Sequence, residues 1–473
     1  MTDMSFSERV ALYERRLRVD ESFDISRREL VLGGRNSVLY FIDGCVKDDI
    51  VERLLEFLMT EKRFGESELK KPTAFINAHF PYIEVKESVE IDTLVESVLK
   101  GEVVILIDGL ASGVYINVRS FPARNIAEPE NERVIRGARD GFVETLLNNT
   151  AIIRRRIRNP SLTFKRLTVG DSTKTDVAVV FMSDRADMTF VNKVVKKIQG
   201  INVYGLSMGH QSLAECLIKE KWYNPFPKIR YTERPDSAAA MLMEGSVVVL
   251  CDNSPEAMIL PTSIFDFMQE TGDYYHPPLV GSYLRLLRIF IFILTMILTP
   301  TWYLLISNPD WLPPALNFLK VSYTGGLPII AQLFIVELAI DGLKLASLNT
   351  PSALNNSLSI IGGLILGDFS VQSGWFIPEV VLYMALVSIA NFTQPSNELG
   401  YAFKFLRVII LSLTALFNVW GYFGGILLSL ILVASNKTVD GNRSYMYPVI
   451  PFDAKALKRL IFRVKLVTNQ RRK

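Results

Sequence analysis

The sequence predicts an α/β cytoplasmic head of two tandem, related subdomains, followed by an all-α transmembrane domain of four to five membrane helices. Two observations indicate this fold: charged residues are frequent throughout residues 1–288, and long apolar runs follow them. A third is a near-repeat of strand and helix patterns within the charged part. A chain of 473 residues has room for two or three domains.

Charge is distributed unevenly along the chain. From Ile289 onward the sequence has eight Asp or Glu and fourteen Lys or Arg, and ten of those basic residues follow Ser435. The net charge of +3 is therefore uninformative, whereas the basic tail indicates a cytoplasmic end by the positive-inside rule. The N-terminal residues show no apolar core of signal-peptide type, which predicts a cytoplasmic head.

The head contains a near-repeat. The segments 37–58 and 176–198 each show an apolar strand, a polar turn and an amphipathic helix. Each is followed by a strand that ends at Asp108 or Asp252, and then by a further apolar strand. The predicted domains are a first α/β subdomain over 1–125, a connecting helical segment over 126–165, a second α/β subdomain with a neck over 166–280, a transmembrane helical domain over 281–436, and a basic cytoplasmic tail over 437–473.

Four apolar runs are predicted to cross the membrane, at about 289–307, 354–374, 376–394 and 408–435. The first is a charge-free run of 19 residues, enough to cross about 30 Å of hydrocarbon. Placing both chain ends in the cytoplasm requires an even number of crossings, and four full spans satisfy this. Five or six crossings also stay open. Segment 328–347 is then a partial, tilted or re-entrant helix. Lys404 and Arg407 would lie on the non-cytoplasmic side, which opposes this assignment by the positive-inside rule.

The stretch LFIVELAIDGLKL contains three charged residues in an apolar context. Spacings of four and three place Glu337, Asp341 and Lys344 on one helical face. Charges at bilayer depth are costly, so three interpretations stay open. The carboxylates pair with Lys344, or the face lies at the headgroup interface, or it lines an aqueous path made by several copies of the chain.

Asp368 is the remaining candidate for an ion path, because it is the single charged residue of its apolar run. Glycines spaced by four allow close helix contact, and prolines or isolated glycines allow hinges. The packing or hinge candidates are Pro328, Gly342, Gly363, Gly367, Gly421 and Gly425.

The segment between the repeats has a basic run that ends at Arg158. This run contains no aromatic residues that could stack on bases, which argues against nucleic-acid binding. We favour a solvated helix end or ion pairs between subunits. The predicted inter-subunit or head-coupling residues are Arg136, Arg139, Arg154, Arg155, Arg156, Glu233, Arg234 and Asp236.

No catalytic, phosphate-binding or metal-binding motif is present, so we expect no enzyme activity and no cofactor. Cys45, Cys216 and Cys251 lack CxxC spacing, which argues against a disulfide framework or a zinc site. The simplest interpretation is that all three are buried small apolar residues.

A set of linked motifs resembles the A-subunit family of bacterial spore germination receptors. The motifs are EPENERVIRGARDGFVETL, RRRIRNPSL, YTERPD, EGSVVVLCDNSP, DYYHPP and RLLR, in that order. The resemblance covers about residues 120–450. It implies a two-subdomain head, a helical membrane domain in the inner membrane of the spore, and an oligomeric, ion-conducting subunit that opens in germination. Nutrient-reading members of the family work with a transporter-like B subunit and a lipoprotein C subunit.

The chain departs from the receptor pattern at two places. The usual Gly-Pro-Arg reads Gly137-Ala138-Arg139, and a basic stretch of the receptors reads LAIDGLKLASLNTP. The second change favours an accessory channel over a nutrient receptor, because it alters the charge of a pore-adjacent face.

The leading functional hypothesis is therefore a homo-oligomeric ion channel subunit that releases cations during germination. The first alternative is a non-conducting membrane scaffold that couples germination receptors. A small-solute transporter ranks below both, because the spans show no internal inverted repeat. Candidate partners are further copies of the chain, membrane lipid, another small membrane subunit, and germination receptor subunits; no nucleic acid is expected.

Overall fold

A computed structural model describes residues 4–61, 63–121, 137–218, 223–321, 326–351, 360–439 and 444–463 of the chain. The chain forms two compact units. The first, called the head, consists of Met1–Glu220 and Lys228–Thr262, and the second, called the helical unit, consists of Lys221–Pro227 and Ser263–Lys473.

The head contains two five-stranded sheets in which every paired strand is antiparallel. In the first sheet the strand order is β1-β2-β4-β5-β3, and in the second it is β6-β7-β9-β10-β8. The first sheet consists of β1 (Ile25–Leu32), β2 (Arg35–Ile42), β3 (Val85–Ser88), β4 (Val103–Ile107) and β5 (Gly113–Ile116). The second consists of β6 (Leu162–Val169), β7 (Thr175–Met182), β8 (Arg230–Thr232), β9 (Val247–Cys251) and β10 (Ala257–Leu260).

The strand order of the second sheet repeats that of the first, so the two head subdomains share one topology, as the near-repeat predicts. The near-repeat in the sequence predicted β2, β4 and β5 of the first sheet and their counterparts β7, β9 and β10 of the second. β6 begins at Leu162, four residues before the predicted start of the second subdomain at 166.

Helices cover the sheets of the head. They are α1 (Phe6–Leu17), α2 (Asp48–Thr60), α3 (Glu66–Leu69), α4 (Pro72–His79), α5 (Ile91–Leu99), α6 (Leu146–Arg156), α7 (Met188–Gln199), α8 (His210–Leu217) and α9 (Pro235–Met243). In the first subdomain, one face of the sheet packs on α2 and α4 through residues such as Leu39 and Leu58, and the other packs on α1 and α5 through Tyr40 and Val98. All five residues of β4 are consequently buried, which explains its unbroken apolar sequence.

The helical unit contains α10 (Pro278–Ser307), α11 (Ile329–Asn349), α12 (Ile360–Gln372), α13 (Pro378–Phe392), α14 (Asn397–Ala434) and α15 (Ala454–Ile461). Among the described residues, α10 and α14 are the two helices long and apolar enough to cross a membrane. Only 33% and 22% of their most apolar windows is buried within the chain. Most of both apolar surfaces is therefore free to face lipid.

Two of the four predicted spans coincide with the candidate membrane helices α10 and α14, and the other two coincide with shorter helices. The predicted span 376–394 corresponds to α13, whose 15 residues extend only about 22 Å, less than the hydrocarbon core of a bilayer. The predicted span 354–374 corresponds to the short helix α12, and its residues 354–359 lie outside the described part of the chain. The predicted span 408–435 corresponds to α14, which begins earlier and includes Lys404 and Arg407.

α14 is two helical arms joined at Asn418. Asn418 has φ 52° and ψ −126°, a conformation that interrupts the helix. A Cβ atom built on Gly421 would lie 1.8 Å from the carbonyl oxygen of Leu413, and one on Gly425 would lie 2.9 Å from the Cα of Ile410. In a straight helix, residues eight apart are separated by about 12 Å. The second arm therefore folds back against the first as a hairpin.

Candidate functional site

The candidate site is a cluster of charged side chains between α11 and α14, beside α10. Glu337 and Asp341 lie one turn apart on α11, and Lys404 and Arg407 lie three residues apart on α14. These spacings place each pair on one face of its helix. Two carboxylates thus meet two cations, and the formal charge of the cluster is zero.

Arg407 is the centre of the cluster and its side chain is 2% exposed. Its Nη2 lies 2.6 Å and 2.7 Å from the two carboxylate oxygens of Glu337. Its Nη1 donates to the backbone carbonyl oxygen of Thr295, 2.9 Å away on α10. A single guanidinium therefore joins three helices of the unit.

Lys404 completes the cluster. Its Nζ lies 3.1 Å from Oε1 of Glu337 and also forms an ion pair with Asp341. The side chains of Glu337 and Asp341 are 14% and 29% exposed, so Asp341 is the more accessible carboxylate. Buried ions that are fully paired avoid most of the cost of burial, whereas removal of one partner is strongly destabilising.

Lys344 lies beside two aromatic rings. Its Nζ lies 4.8 Å from the ring centroid of Phe392 and 5.9 Å from that of Tyr401. In the part of the chain that the structure describes, Lys344 forms no ion pair with Glu337 or Asp341. The interpretation in which Lys344 neutralises both carboxylates is therefore wrong, because Lys404 and Arg407 occupy their oxygens.

Asp368 lies apart from this cluster. It is exposed and belongs to a π-helical turn, Ile365–Phe369, inside α12. Among the described residues no basic side chain lies within ion-pair distance of its carboxylate. π-helical turns inside α-helices are frequent at functional sites.

The hinge and packing candidates separate into two groups. Gly421 and Gly425 pack against the first arm of α14, so their lack of a side chain is required there. A Cβ atom built on Gly342, Gly363 or Gly367 would have no described atom within 4 Å. Pro328 immediately precedes α11, where its fixed φ suits a helix start.

Most of the head-coupling candidates form contacts within the chain. Arg154 is 1% exposed, and its Nε lies 2.7 Å from Oδ2 of Asp24, which precedes β1. It thereby joins the two subdomains of the head. Two further candidates form ion pairs, Arg156 with Asp140 and Arg234 with Asp236. Arg155 lies over the ring of Phe121, and the carbonyl oxygen of Glu233 accepts a hydrogen bond from the Phe142 amide. Arg139 is exposed, and Arg136 lies outside the described residues.

The sequence patterns did not identify Lys404, Arg407 and Asn418. Lys404 and Arg407 flank a charge-free run, which made them resemble the end of a span. Asn418 exchanges two hydrogen bonds with Asn308 at the end of α10, with N–O distances of 2.7 Å and 3.0 Å. A usable signal was present, because an i, i+3 basic pair next to an apolar run shares one helical face, as do the i, i+4 carboxylates on α11.

The chain combines an α/β head of two related subdomains with a helical unit that contains two candidate membrane helices. This combination defines a class of membrane proteins with a folded domain outside the bilayer. A family model described as Bacillus/Clostridium GerA spore germination protein matches residues 14–473. The chain therefore belongs to the GerA family of spore germination proteins, in agreement with the prediction from its motifs.

The relatives include several Bacillus germination proteins. Stage V sporulation protein AF of Bacillus subtilis (strain 168) is 35% identical, over 95% of this chain and 91% of its own length. Spore germination protein KA of the same organism is 26% identical, over 97% of this chain and 85% of its own length. The crystal structure of the N-terminal domain of the A subunit of the Bacillus megaterium spore germinant receptor GerK3 matches with a TM-score of 0.40 and 22% identity, and it covers 54% of this chain and 93% of that domain.

Proposed function

We propose that this protein is a subunit of an oligomeric ion channel in the inner membrane of the spore, and that it releases cations during germination. It is a multi-pass protein with the head and the tail in the cytoplasm, and it performs no enzymatic step. It acts beside the nutrient receptors, and its candidate partners are further copies of itself, germination receptor subunits or another small membrane subunit. Family membership supports the role in germination.

The observation that carries the channel proposal is the exposed carboxylate of Asp368 on an apolar helix. A carboxylate within hydrocarbon is costly unless it contacts water or a partner. Among the described residues Asp368 has no basic partner, so we infer that it faces water. Repeated around an axis by several copies of the chain, Asp368 forms a ring of carboxylates of the kind that favours cations.

The cluster on α11 has a different role in this proposal. Glu337 is fully engaged by Arg407 and Lys404, so it contributes little attraction for a mobile cation. The ion pairs instead attach α11 to α14 and thereby fix the helices that line the proposed ion path. The more exposed Asp341 is the second candidate for contact with ions.

The test is cation flux through purified full-length protein in liposomes, with Asp368→Asn as the variant. We expect a loss of flux on the order of tenfold, because removing a carboxylate at a narrow site lowers local cation occupancy. The matched control is Asp310→Asn, an identical charge change at an exposed position between α10 and α11. Equal flux in the wild type and Asp368→Asn would exclude Asp368 from the path.

The second candidate function is a non-conducting scaffold that couples germination receptors. The charged cluster between α11 and α14 favours this function, because its formal charge is zero. Paired charges of this kind can hold the two helices together without any ion-conducting path. The same measurement of cation flux in liposomes discriminates between the two functions. Absence of flux under every gating condition, with correct insertion of the protein, supports the scaffold.

A further inference from the structure

The helix α15, near the C-terminus, has two distinct faces. Ala454, Lys455, Lys458 and Arg459 are exposed, whereas Ala456, Leu457, Leu460 and Ile461 are half-buried. At 100° per residue the exposed residues form one side of the helix and the half-buried residues form the other. Short helices with one basic and one apolar face are typical of membrane interfaces.

The C-terminal end of α15 is held against the first turns of α10. Nη1 of Arg285 donates to the carbonyl oxygens of Arg459 and Leu460, at 3.1 Å and 3.4 Å. The amide of Arg463 donates to Oγ of Ser282 at 3.0 Å. A Cβ atom on Gly281 would lie 2.8 Å from Cδ of Arg463, so the two segments are in close contact.

These contacts fix the depth of α15 relative to the apolar part of α10. Arg285 precedes Ile289, where the charge-free run begins, by four residues, or about 6 Å of helix. The headgroup layer on each side of a bilayer is about 5–8 Å thick. When α10 spans a membrane, α15 therefore lies at the level of the lipid headgroups.

The exposed face of α15 carries net positive charge. Among the described residues no carboxylate lies within ion-pair distance of Lys455, Lys458 or Arg459. The nearby Asp453 is used as the N-cap, where it accepts hydrogen bonds from the amides of Lys455 and Ala456. Unpaired cations at headgroup depth attract anionic lipid.

We infer that α15 is a binding surface for the headgroups of anionic phospholipids, with Lys455, Lys458 and Arg459 as the residues that contact the lipid phosphates. This inference rests on the membrane location of α10 in the proposed function, but not on ion conduction. The exposed Phe452 and Phe462 at the two ends of the segment supply apolar contacts with the acyl boundary.

The test is native mass spectrometry of the full-length protein in detergent, titrated with dioleoyl phosphatidylglycerol or dioleoyl phosphatidylcholine. The wild type should bind phosphatidylglycerol more tightly than phosphatidylcholine. The triple variant Lys455→Gln, Lys458→Gln, Arg459→Gln should lose between about tenfold and 100-fold of its affinity for phosphatidylglycerol. The charge-matched control neutralises Lys70, Lys71 and Lys165, which are exposed residues of the head, and should keep full affinity.

A charge-retaining variant, Lys455→Arg with Lys458→Arg, should keep the preference for phosphatidylglycerol even if the neutral variant folds poorly. Equal binding of both lipids by the wild type overturns the inference. So does unchanged binding by the neutral variant, or displacement of phosphatidylglycerol by millimolar inorganic phosphate, which indicates a free-anion site. A protein that prefers phosphatidylglycerol but conducts no ions overturns the proposed channel alone.

Discussion

At the scale of single residues, the guanidinium of Arg407 explains how an apolar helix tolerates two carboxylates. Its Nη2 lies within hydrogen-bond distance of both Glu337 carboxylate oxygens, and its Nη1 donates to the Thr295 carbonyl oxygen, so two of its three nitrogens are engaged. A lysine has a single nitrogen, so it cannot contact the carboxylate and the Thr295 carbonyl oxygen through two separate nitrogens. The arrangement is consequently specific for arginine at position 407.

Substitution of Glu337 by glutamine should destabilise the helical unit. Glu337→Gln leaves the buried Arg407 without its charged partner, and we expect the free energy of unfolding to fall by about 3 kcal/mol. The measurement is denaturant or thermal unfolding of the purified protein in detergent. Because the side chains of Arg407 and Glu337 are 2% and 14% exposed, solvent screening is small.

A double-mutant cycle provides the control for this prediction. In Glu337→Gln/Arg407→Gln neither charge remains buried alone, so the combined loss should be smaller than the sum of the two single losses. Simple additivity of the two substitutions would contradict direct coupling between these residues.

The three cysteines should differ in reactivity at pH 8. Burial raises the pKa of the Cys45 thiol to about 12 and that of Cys251 to about 11, so about one thiol in a thousand or fewer is ionised at either position. Cys216 is exposed, which corrects the expectation that all three are buried. We therefore expect maleimide to label Cys216 alone within minutes, as measured by peptide mass spectrometry. Denatured protein, in which all three should react, is the control, and rapid labelling of Cys251 in the native protein would contradict its burial.

At the scale of elements, the hairpin of α14 depends on glycine at two contact positions. Gly421→Ala would place a methyl group against the backbone of Leu413, which cannot move without opening the hairpin. We expect a loss of about 3 kcal/mol or more, measured as the stability of the purified protein in detergent.

The matched control for the hairpin is Gly424→Ala, in the same arm. A Cβ atom on Gly424 has no described atom within 4 Å, and alanine is the better helix former. This variant should be neutral or slightly stabilising. If both alanine variants have the same stability, the two arms do not pack as described.

The sequence identified the central strands of the head more readily than the edge strands, for a physical reason. β4 and β9 are buried at all five positions, so they appear as unbroken apolar runs. β1 has three consecutive exposed residues, and β3 and β8 have only four and three residues. Edge strands lack a full apolar signature because one side has no neighbouring strand to bury it.

At the scale of the whole molecule, the repeated strand order shows that one α/β subdomain topology occurs twice in the head. The sequence revealed this through matched apolar patterns, which local burial dictates. It did not reveal which side chains meet in the helical unit, because Glu337 and Arg407 are 70 residues apart and their pairing depends on tertiary packing. The same limit explains why pairing of the carboxylates with Lys344 stayed open as one of three alternatives.

The channel proposal makes a prediction about the mass of the native particle. A path lined by several copies requires particles in nanodiscs to exceed the mass of empty nanodiscs by at least twice the 53.4 kDa of one chain. Mass photometry at several dilutions measures this directly, and empty nanodiscs are the control. A single mass of one chain at every dilution would contradict an oligomeric path.

The reversal at Asn418 also has a consequence for biogenesis. In a bilayer, we expect the two arms of α14 to enter as a pair, because the second arm packs against the first at Gly421 and Gly425. The next basic residue after Arg407 is Lys437, so the basic residues that orient this end of the chain leave the ribosome only after both arms. A stop codon just before Lys437 would therefore release a chain whose final pair of helices has lost its orienting charges.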